Sequence, residues 1–262
     1  MAGKASPKGS SDDRNSRVQL RELLDCLAHF GAGLAVLRVV GRRIPLLNRP
    51  VEVAGDLCAM YSDRRARAFD KKHGTDTFAR VRMDALGLDD RRGAGYDGWK
   101  YGPINQDFFG EMIRKIPHRQ ELTFFDVGLG KGLALMLARD LGFRRLMGVE
   151  LSADLVERAK QNFALFERST GVPVRAELLV GDFMQVQLPR EPVAFFLNNP
   201  FPDYVAEPAV RHIEALIASC PRRVVVAYRR PPASTLAQLE ASPHLRRTAR
   251  TPYWFIFEAQ AR

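Results

Sequence analysis

The stretch that decides the fold is Phe124-Phe125-Asp126-Val127-Gly128-Leu129-Gly130-Lys131-Gly132. Its first half is short, apolar and aromatic, which is typical of a buried strand. Its second half carries a glycine at every other position, where the backbone can take positive φ and approach a ligand closely. The segment Leu133–Leu141 follows as a predicted helix, whose N-terminal amide groups point at the turn. A strand, a glycine turn and a helix in this order predict a site for a nucleotide-like cofactor.

Working outward from this turn, apolar runs alternate with helical patterns as far as the C-terminus. The predicted strands are Leu122–Val127, Arg145–Glu150, Ala176–Val180, Val193–Leu197, Val224–Tyr228 and Tyr253–Glu258. The predicted helices are Asp107–Ile116, Leu133–Leu141, Ala153–Arg168, Pro208–Ser219 and Leu236–Glu240. Strands separated by helices predict an α/β fold with a doubly wound, mostly parallel sheet. Ligands of such sheets bind beyond the carboxyl ends of the strands.

The 262 residues divide near residue 105. Residues 1–16 are polar and predict a disordered tail. Residues 17–104 predict a helical N-terminal extension or cap, with helices at Arg17–Leu27 and Asp56–Lys72. Residues 105–262 predict the Rossmann-like domain that binds the cofactor. The apolar stretch near the N-terminus includes charged side chains that would be costly in a bilayer, so no membrane span is predicted.

Composition narrows the class of protein. The net charge of +10 favours an acidic partner such as nucleic acid, and arginines scattered over a solvated surface are the alternative explanation. Three cysteines without a Cys-x-x-Cys spacing predict no disulfide framework and no zinc site, and they fit a reducing cytoplasm. Five histidines include no His-x-x-x-His pair, so no metal site is predicted.

The spacing of the glycines and acids discriminates among cofactors. The dinucleotide fingerprint Gly-x-Gly-x-x-Gly requires glycine at position 133, which is leucine here, whereas Gly132 is glycine. Glu150 ends the second predicted strand, 150 − 128 = 22 residues after Gly128. An acid at this place can accept hydrogen bonds from both ribose hydroxyls. Asp182 follows the third strand in the same way. Each acid alone would also serve as a helix N-cap.

The pattern Asp-x-Gly-x-Gly-x-Gly resembles motif I of class I S-adenosylmethionine (SAM)-dependent methyltransferases. The resemblance implies SAM as the cofactor, with Asp126 and the three glycines around its amino-acid end. It also implies that Asp182 accepts a hydrogen bond from the adenine amino group and that Phe183 lies beside the ring. The predicted cofactor-binding residues are Tyr101, Asp126, Gly128, Gly130, Gly132, Glu150, Asp182 and Phe183.

The fourth predicted strand is followed by Asn198-Asn199-Pro200-Phe201. This resembles the [Asn/Asp/Ser]-Pro-Pro-aromatic motif of amino-directed methyltransferases, with Asn199 in place of the first proline. The resemblance implies that an asparagine oxygen orients the target nitrogen and that the aromatic ring packs on the target. The predicted catalytic residues are Asn198, Asn199 and Phe201. A tight Asn-Pro turn that caps the next helix is the structural alternative.

A longer series of short motifs points to a substrate class. Gly148-Val149-Glu150, Gly181-Asp182-Phe183, the two asparagines and Tyr101-Gly102-Pro103 together resemble the non-SET histone lysine methyltransferase family, over roughly residues 100–230. Phe69-Asp70 and Gly74-Thr75-Asp76-Thr77 resemble uncharacterised bacterial class I methyltransferases. The first resemblance implies a nitrogen on a protein side chain as the acceptor, and the second implies no substrate.

These observations predict a cytoplasmic SAM-dependent methyltransferase that acts on nitrogen, with protein as the preferred substrate. A nucleic-acid methyltransferase that tracks phosphates through its basic residues stays open. So does a small-molecule methyltransferase capped by the N-terminal extension. An inactive SAM-binding interaction protein is the alternative of another class, and a dinucleotide oxidoreductase is the alternative that the glycine spacing opposes.

Overall fold

The computed structural model describes residues 63–78, 104–201, 203–250 and 254–259. The segment Arg64–Arg262 is one compact unit. Residues 63–73 are helical and are named α1; this helix overlaps the predicted helix Asp56–Lys72 and ends one residue later, at His73. The predicted tail, the predicted helix Arg17–Leu27 and Tyr101 lie outside the described residues.

The sheet has seven strands in the order β3-β2-β1-β4-β5-β7-β6. The strands are β1 (Thr123–Val127), β2 (Arg145–Glu150), β3 (Ala176–Val180), β4 (Val193–Leu197), β5 (Val224–Arg229), β6 (Arg246–Arg250) and β7 (Trp254–Ala259). The first five run parallel, and β7 is antiparallel to both β5 and β6. The predicted α/β class, a doubly wound and mostly parallel sheet, is confirmed.

The helices after α1 are α2 (Gln106–Arg114), α3 (Leu133–Ala138), α4 (Ala153–Thr170), α5 (Asp203–Ser219) and α6 (Ala233–Ala241). Local sequence explains several of their ends. The Ser152 hydroxyl accepts a hydrogen bond from the Leu155 N–H and caps α4, as predicted. Gly171, at φ 72°, ends the same helix in the left-handed region.

Several predicted helix boundaries were wrong, and one strand was missed. Helix α2 ends at Arg114 rather than at Ile116, and α6 begins at Ala233 rather than at Leu236. Helix α3 ends at Ala138 rather than at Leu141, because the Leu141 N–H bonds three residues back to the Ala138 carbonyl and tightens the chain into a turn. Helix α5 begins at Asp203, so Pro208 lies inside the helix and not at its first position. Strand β6 was missed because its sequence, Arg-Arg-Thr-Ala-Arg, has no apolar alternation. It is an outermost strand of the sheet and is mostly exposed.

The core occupies both faces of the sheet. All five residues of β1 and of β4 are buried, as expected for parallel strands covered by helices. On one face Phe125 and Phe195 pack in a cluster that includes Ile213 of α5 and Leu239 of α6. On the other face the ring of Phe196 lies 5.1 Å from that of Phe109 in α2 and 4.9 Å from that of Trp254 in β7. This packing fixes the strand ends that carry the site.

Candidate functional site

The carboxyl ends of β1 to β4 lie side by side at one edge of the sheet. Val127 pairs with Val149 of β2 on one side and with Leu197 of β4 on the other. Glu150 pairs with Val180 of β3. The segments predicted to carry the chemistry follow directly after these residues. The fold therefore brings the glycine turn, both predicted acids and the two asparagines to a single edge.

The glycine turn is anchored to β2 through its backbone. The N–H groups of Gly128 and Leu129 both donate to the Val149 carbonyl, at 2.9 and 3.0 Å. Gly128, Gly130 and Gly132 all have positive φ, at 75°, 53° and 84°. At Gly132, the N-cap of α3, a side-chain carbon would stand 2.6 Å from Cε1 of Phe163. Glycine at position 132 is thus required by both the backbone conformation and the packing.

Glu150 links the glycine turn to the start of α4. Its Oε2 accepts a hydrogen bond from the Gly130 N–H at 3.0 Å, and its Oε1 accepts one from the Ser152 N–H at 3.1 Å. Burial raises the pKa of this carboxyl, and backbone N–H bonds from Ser152, Gly130 and Leu151 oppose that rise. The two carboxylate oxygens together have four lone pairs, so the group keeps acceptor capacity for a ligand beside these three backbone bonds.

Asp126 lies beneath the turn, near the end of β1, and is 2% exposed. Its pKa lies well above the ordinary value because burial disfavours the charged form, and the charge of Glu150 adds to the effect. A positively charged group bound at this edge would favour ionisation of both carboxyls. The pair of acids therefore suits a cationic or hydroxyl-rich ligand.

The end of β3 is joined to the end of β2. The Gly181 N–H donates to the Glu150 carbonyl at 2.9 Å, and Asp182 Oδ1 accepts from the Met184 N–H at 2.9 Å. The ring of Phe183 is 4% exposed and packs in the core, 6.1 Å from the ring of Phe195. Asp182 thus lies at the predicted strand end, while the Phe183 ring packs inward at this edge.

At the end of β4, the asparagine turn meets the glycine turn. A side-chain carbon at Gly128 would stand 3.0 Å from Cβ of Pro200. Asn199 is exposed and left-handed, at φ 54°, a conformation that asparagine tolerates better than most residues. Asn198 is half-buried, and its Oδ1 accepts a hydrogen bond from Arg229 Nη1 at 3.4 Å. Phe201 is 9% exposed, with its ring 5.7 Å from that of Phe183.

The structure adds Leu151 and His212, which the sequence patterns did not single out, and it gives a position to Arg229, one of the basic residues that the sequence offered for phosphate contacts. Arg229 ends β5 beside Asn198. Leu151 directly follows Glu150 and is 50% exposed, which places an apolar side chain at the edge. His212 of α5 lies 5.6 Å from the Phe183 ring, and its buried Nε2 has no hydrogen-bond partner within the described residues. Burial lowers the pKa of His212, and the charge of Asp182 opposes this. Only Arg229 had a local signal in the sequence, because it directly follows a predicted strand.

No metal-binding arrangement is found in the described ranges: they contain no group of three or more His, Cys, Asp and Glu side chains placed to hold an ion. In the same ranges, no helix is long and apolar enough to cross a membrane.

Similarity to known proteins is found among solved structures. No protein-family model and no curated protein matches the chain. Among solved structures, the mitomycin 7-O-methyltransferase is 21% identical over 61% of this chain and 55% of its own, with a TM-score of 0.44. This chain therefore spans about half the length of that enzyme. An RNA methyltransferase from Salinibacter ruber, in complex with S-adenosyl-L-homocysteine, is 18% identical over 61% of this chain and 93% of its own, with a TM-score of 0.42.

A third similar structure is the magnesium protoporphyrin IX methyltransferase from Synechocystis PCC 6803 with bound SAM. It is 18% identical over 59% of this chain and 78% of its own, with a TM-score of 0.41. None of these three is a histone lysine methyltransferase, so that resemblance stays a prediction. The seven-stranded, mostly parallel sheet with helices on both faces is an α/β Rossmann-like fold. This assignment stands on the strand order and register of the chain itself.

Proposed function

We propose that this protein is a SAM-dependent methyltransferase. The observation that carries the proposal is the position of Glu150, whose carboxylate receives the N–H of Gly130 on one side and that of Ser152 on the other. Glu150 therefore connects the glycine turn to the start of α4. We call this end of the sheet, where β1 to β4 terminate, the cofactor edge. The Glu150 carboxylate would accept hydrogen bonds from the ribose hydroxyls of the cofactor.

The side chains at the cofactor edge suit SAM as a ligand. Asp126 and Glu150 are buried carboxyls with raised pKa values, and a cation nearby stabilises their charged forms. Asp182 adds an acceptor one strand further along, and the half-exposed Leu151 adds an apolar contact. Bound SAM would supply an activated methyl group. The task of the protein is to orient the acceptor and to exclude water.

For the acceptor, we propose a nitrogen on a protein side chain. Support comes from the asparagine turn at the end of β4, where Pro200 packs on Gly128 and so places Asn198 and Asn199 beside the glycine turn. The amide oxygen of either asparagine can accept a hydrogen bond from an amine and orient its lone pair. A lysine amine must also lose its charge before it attacks. The cationic Arg229 beside Asn198 lowers the pKa of an amine bound there.

Nucleic acid is the second candidate acceptor, and Arg229 also favours it. A guanidinium beside the asparagine turn offers a fork of donors to a phosphate. The net charge of +10 acts in the same direction.

Labelling separates the two acceptors. The protein is incubated with methyl-labelled SAM and a cell extract, which is then divided into protein, nucleic acid and metabolites. We expect acid-stable label on the protein fraction. Label on nucleic acid alone would refute a protein acceptor and support a nucleic-acid acceptor. Label in none of the fractions would favour a SAM-binding protein without transferase activity.

The double variant Asn198→Ala/Asn199→Ala tests the role of the asparagine turn. We expect methyl transfer to fall by about 10²-fold or more, because the target is no longer oriented, while the Kd for SAM changes little. Glu191→Ala is the matched control, since Glu191 stands two residues before β4 at the opposite edge of the sheet. Full activity in the double variant would refute the assignment.

A further inference from the structure

One motif of the N-terminal part is not used by the proposed function: residues 70–78, Asp-Lys-Lys-His-Gly-Thr-Asp-Thr-Phe. The Asp70 side chain holds this segment in a turn through hydrogen bonds. Its carboxylate accepts hydrogen bonds from the Thr75 hydroxyl at 2.7 Å, from the N–H and hydroxyl of Thr77 at 2.9 and 2.8 Å, and from the Phe78 N–H at 2.7 Å. The segment therefore has a defined shape that presents Asp76 between the two threonines.

The start of this segment packs against α4. The His73 ring shares a hydrogen bond with the Ser169 hydroxyl at 2.6 Å and lies edge-on to the Phe166 ring at 4.7 Å. Phe69 of α1 stacks on the same ring at 5.5 Å. Because these contacts hold the segment against α4, Asp76 has a fixed position relative to that helix.

Asp76 reaches the glycine turn itself. Its Oδ2 lies 2.9 Å from Nζ of Lys131, the residue between Gly130 and Gly132. The Lys131 side chain is 1% exposed, whereas that of Asp76 is 51% exposed. Lysine is almost never fully buried without a partner for its charge. The carboxylate of Asp76 therefore meets a requirement that the buried ammonium imposes.

Asn162 of α4 joins the two segments through their backbones. Its Oδ1 accepts from the Asp76 N–H at 2.8 Å, and its Nδ2 donates to the Lys131 carbonyl at 3.0 Å. The carbonyl of Lys131 and the N–H of Gly130 are thus both held, the first by Asn162 and the second by Glu150. Both peptide units flank the position at which the cofactor would approach.

We propose that Asp76 is a positioning residue for cofactor binding and that it acts through Lys131. The ion pair and the Asn162 bridge hold the glycine turn in its binding-competent shape before the ligand arrives. When a turn is competent for only part of the time, its apparent Kd rises by the inverse of that fraction. The inference rests on the proposed function, because it concerns the same cofactor edge.

The test uses calorimetry of the full chain with S-adenosyl-L-homocysteine, a probe that requires no acceptor. In Asp76→Asn we expect the Kd to rise by about tenfold, as it does when the competent fraction falls to a tenth. Lys131→Met should have a similar effect, and the double variant should be no weaker than the weaker single variant, because both changes break the same Asp76–Lys131 ion pair. Arg158 also lies 3.5 Å from Asp76 Oδ2, but an exposed ion pair of this kind contributes little. Asp76→Glu should restore most of the affinity by returning the carboxylate.

Arg223→Met is the matched control. Arg223 forms an ion pair with Glu258 at 2.7 Å, and both side chains of this pair are largely buried. Arg223 also donates to the carbonyls of Pro117 and His118, which precede β1 at the amino ends of the strands. It should lower the melting temperature and leave the Kd within twofold. An equal loss of affinity in this control, or an unchanged Kd in Asp76→Asn, overturns the inference. Failure of the unmodified protein to bind the probe would instead overturn the proposed function.

Discussion

The substitution Gly132→Ala tests why the third glycine of the turn stands where it does. Gly132 has φ 84°, and a Cβ there would meet Phe163 Cε1 at 2.6 Å, Phe163 Cζ at 3.0 Å and Ala159 Cβ at 3.1 Å. A left-handed alanine costs roughly 1–2 kcal/mol. Forcing a carbon into a packed site adds roughly 1–3 kcal/mol. The expected loss in the free energy of unfolding is therefore about 2–5 kcal/mol.

Gly142→Ala supplies the matched control. Gly142 has nearly the same backbone conformation, φ 79°, but a Cβ there would have no atom within 4 Å. Only the conformational cost of roughly 1–2 kcal/mol is expected at this position. The difference between the two variants isolates the packing against Phe163 and Ala159, at about 1–3 kcal/mol.

Thermal unfolding monitored by circular dichroism measures this difference. For a unit of about 200 residues, 1 kcal/mol corresponds to a shift of about 2–4 °C in Tm, so Gly132→Ala should unfold about 2–12 °C below Gly142→Ala. Adding Phe163→Leu to Gly132→Ala should recover part of that gap by removing the ring edge that the methyl group meets. If the two alanine variants have equal Tm values, the packing argument for glycine at this position is refuted.

Two further predictions concern the buried acids of the cofactor edge. Asp126→Asn should raise the stability of the ligand-free protein near neutral pH and weaken SAM binding. The folded state holds the Asp126 proton to higher pH than the unfolded state does, so the free energy of unfolding of the unmodified protein falls as pH rises through that raised pKa. Urea unfolding at several pH values should show this fall in the unmodified protein and a smaller one in the variant; identical pH profiles would contradict the assignment. Glu150→Gln should weaken SAM binding but lower stability by about 1–3 kcal/mol, because its new NH₂ group faces a backbone donor, either Gly130 N–H or Ser152 N–H. Calorimetry and urea unfolding of this variant check both expectations, and unchanged stability would show that the carboxylate bridge contributes nothing to the fold.

Much of this fold is encoded locally. Strands β1 to β5 lie within one residue of their predicted bounds, because a short apolar run between two helices is typical of a buried parallel strand. The chain order of these strands also determines that Asp126, Glu150, Asp182 and Asn198 lie at or just after the carboxyl ends of parallel strands, and so at one end of the sheet. Strand β6 lacked any such signal, since an edge strand with charged residues buries little surface.

What only the tertiary structure decided is how that edge is held. Lys131 and Asp76 are 55 positions apart and Asn198 and Arg229 are 31 apart, and no periodicity in the sequence connects such pairs. The rings of Phe183 and Phe201 turn into the core because packing between the sheet and α5 determines their direction. Local patterns specify which element each residue occupies and where that element ends. The partners of a side chain depend on the docking of distant elements, which follows from the burial of the whole core.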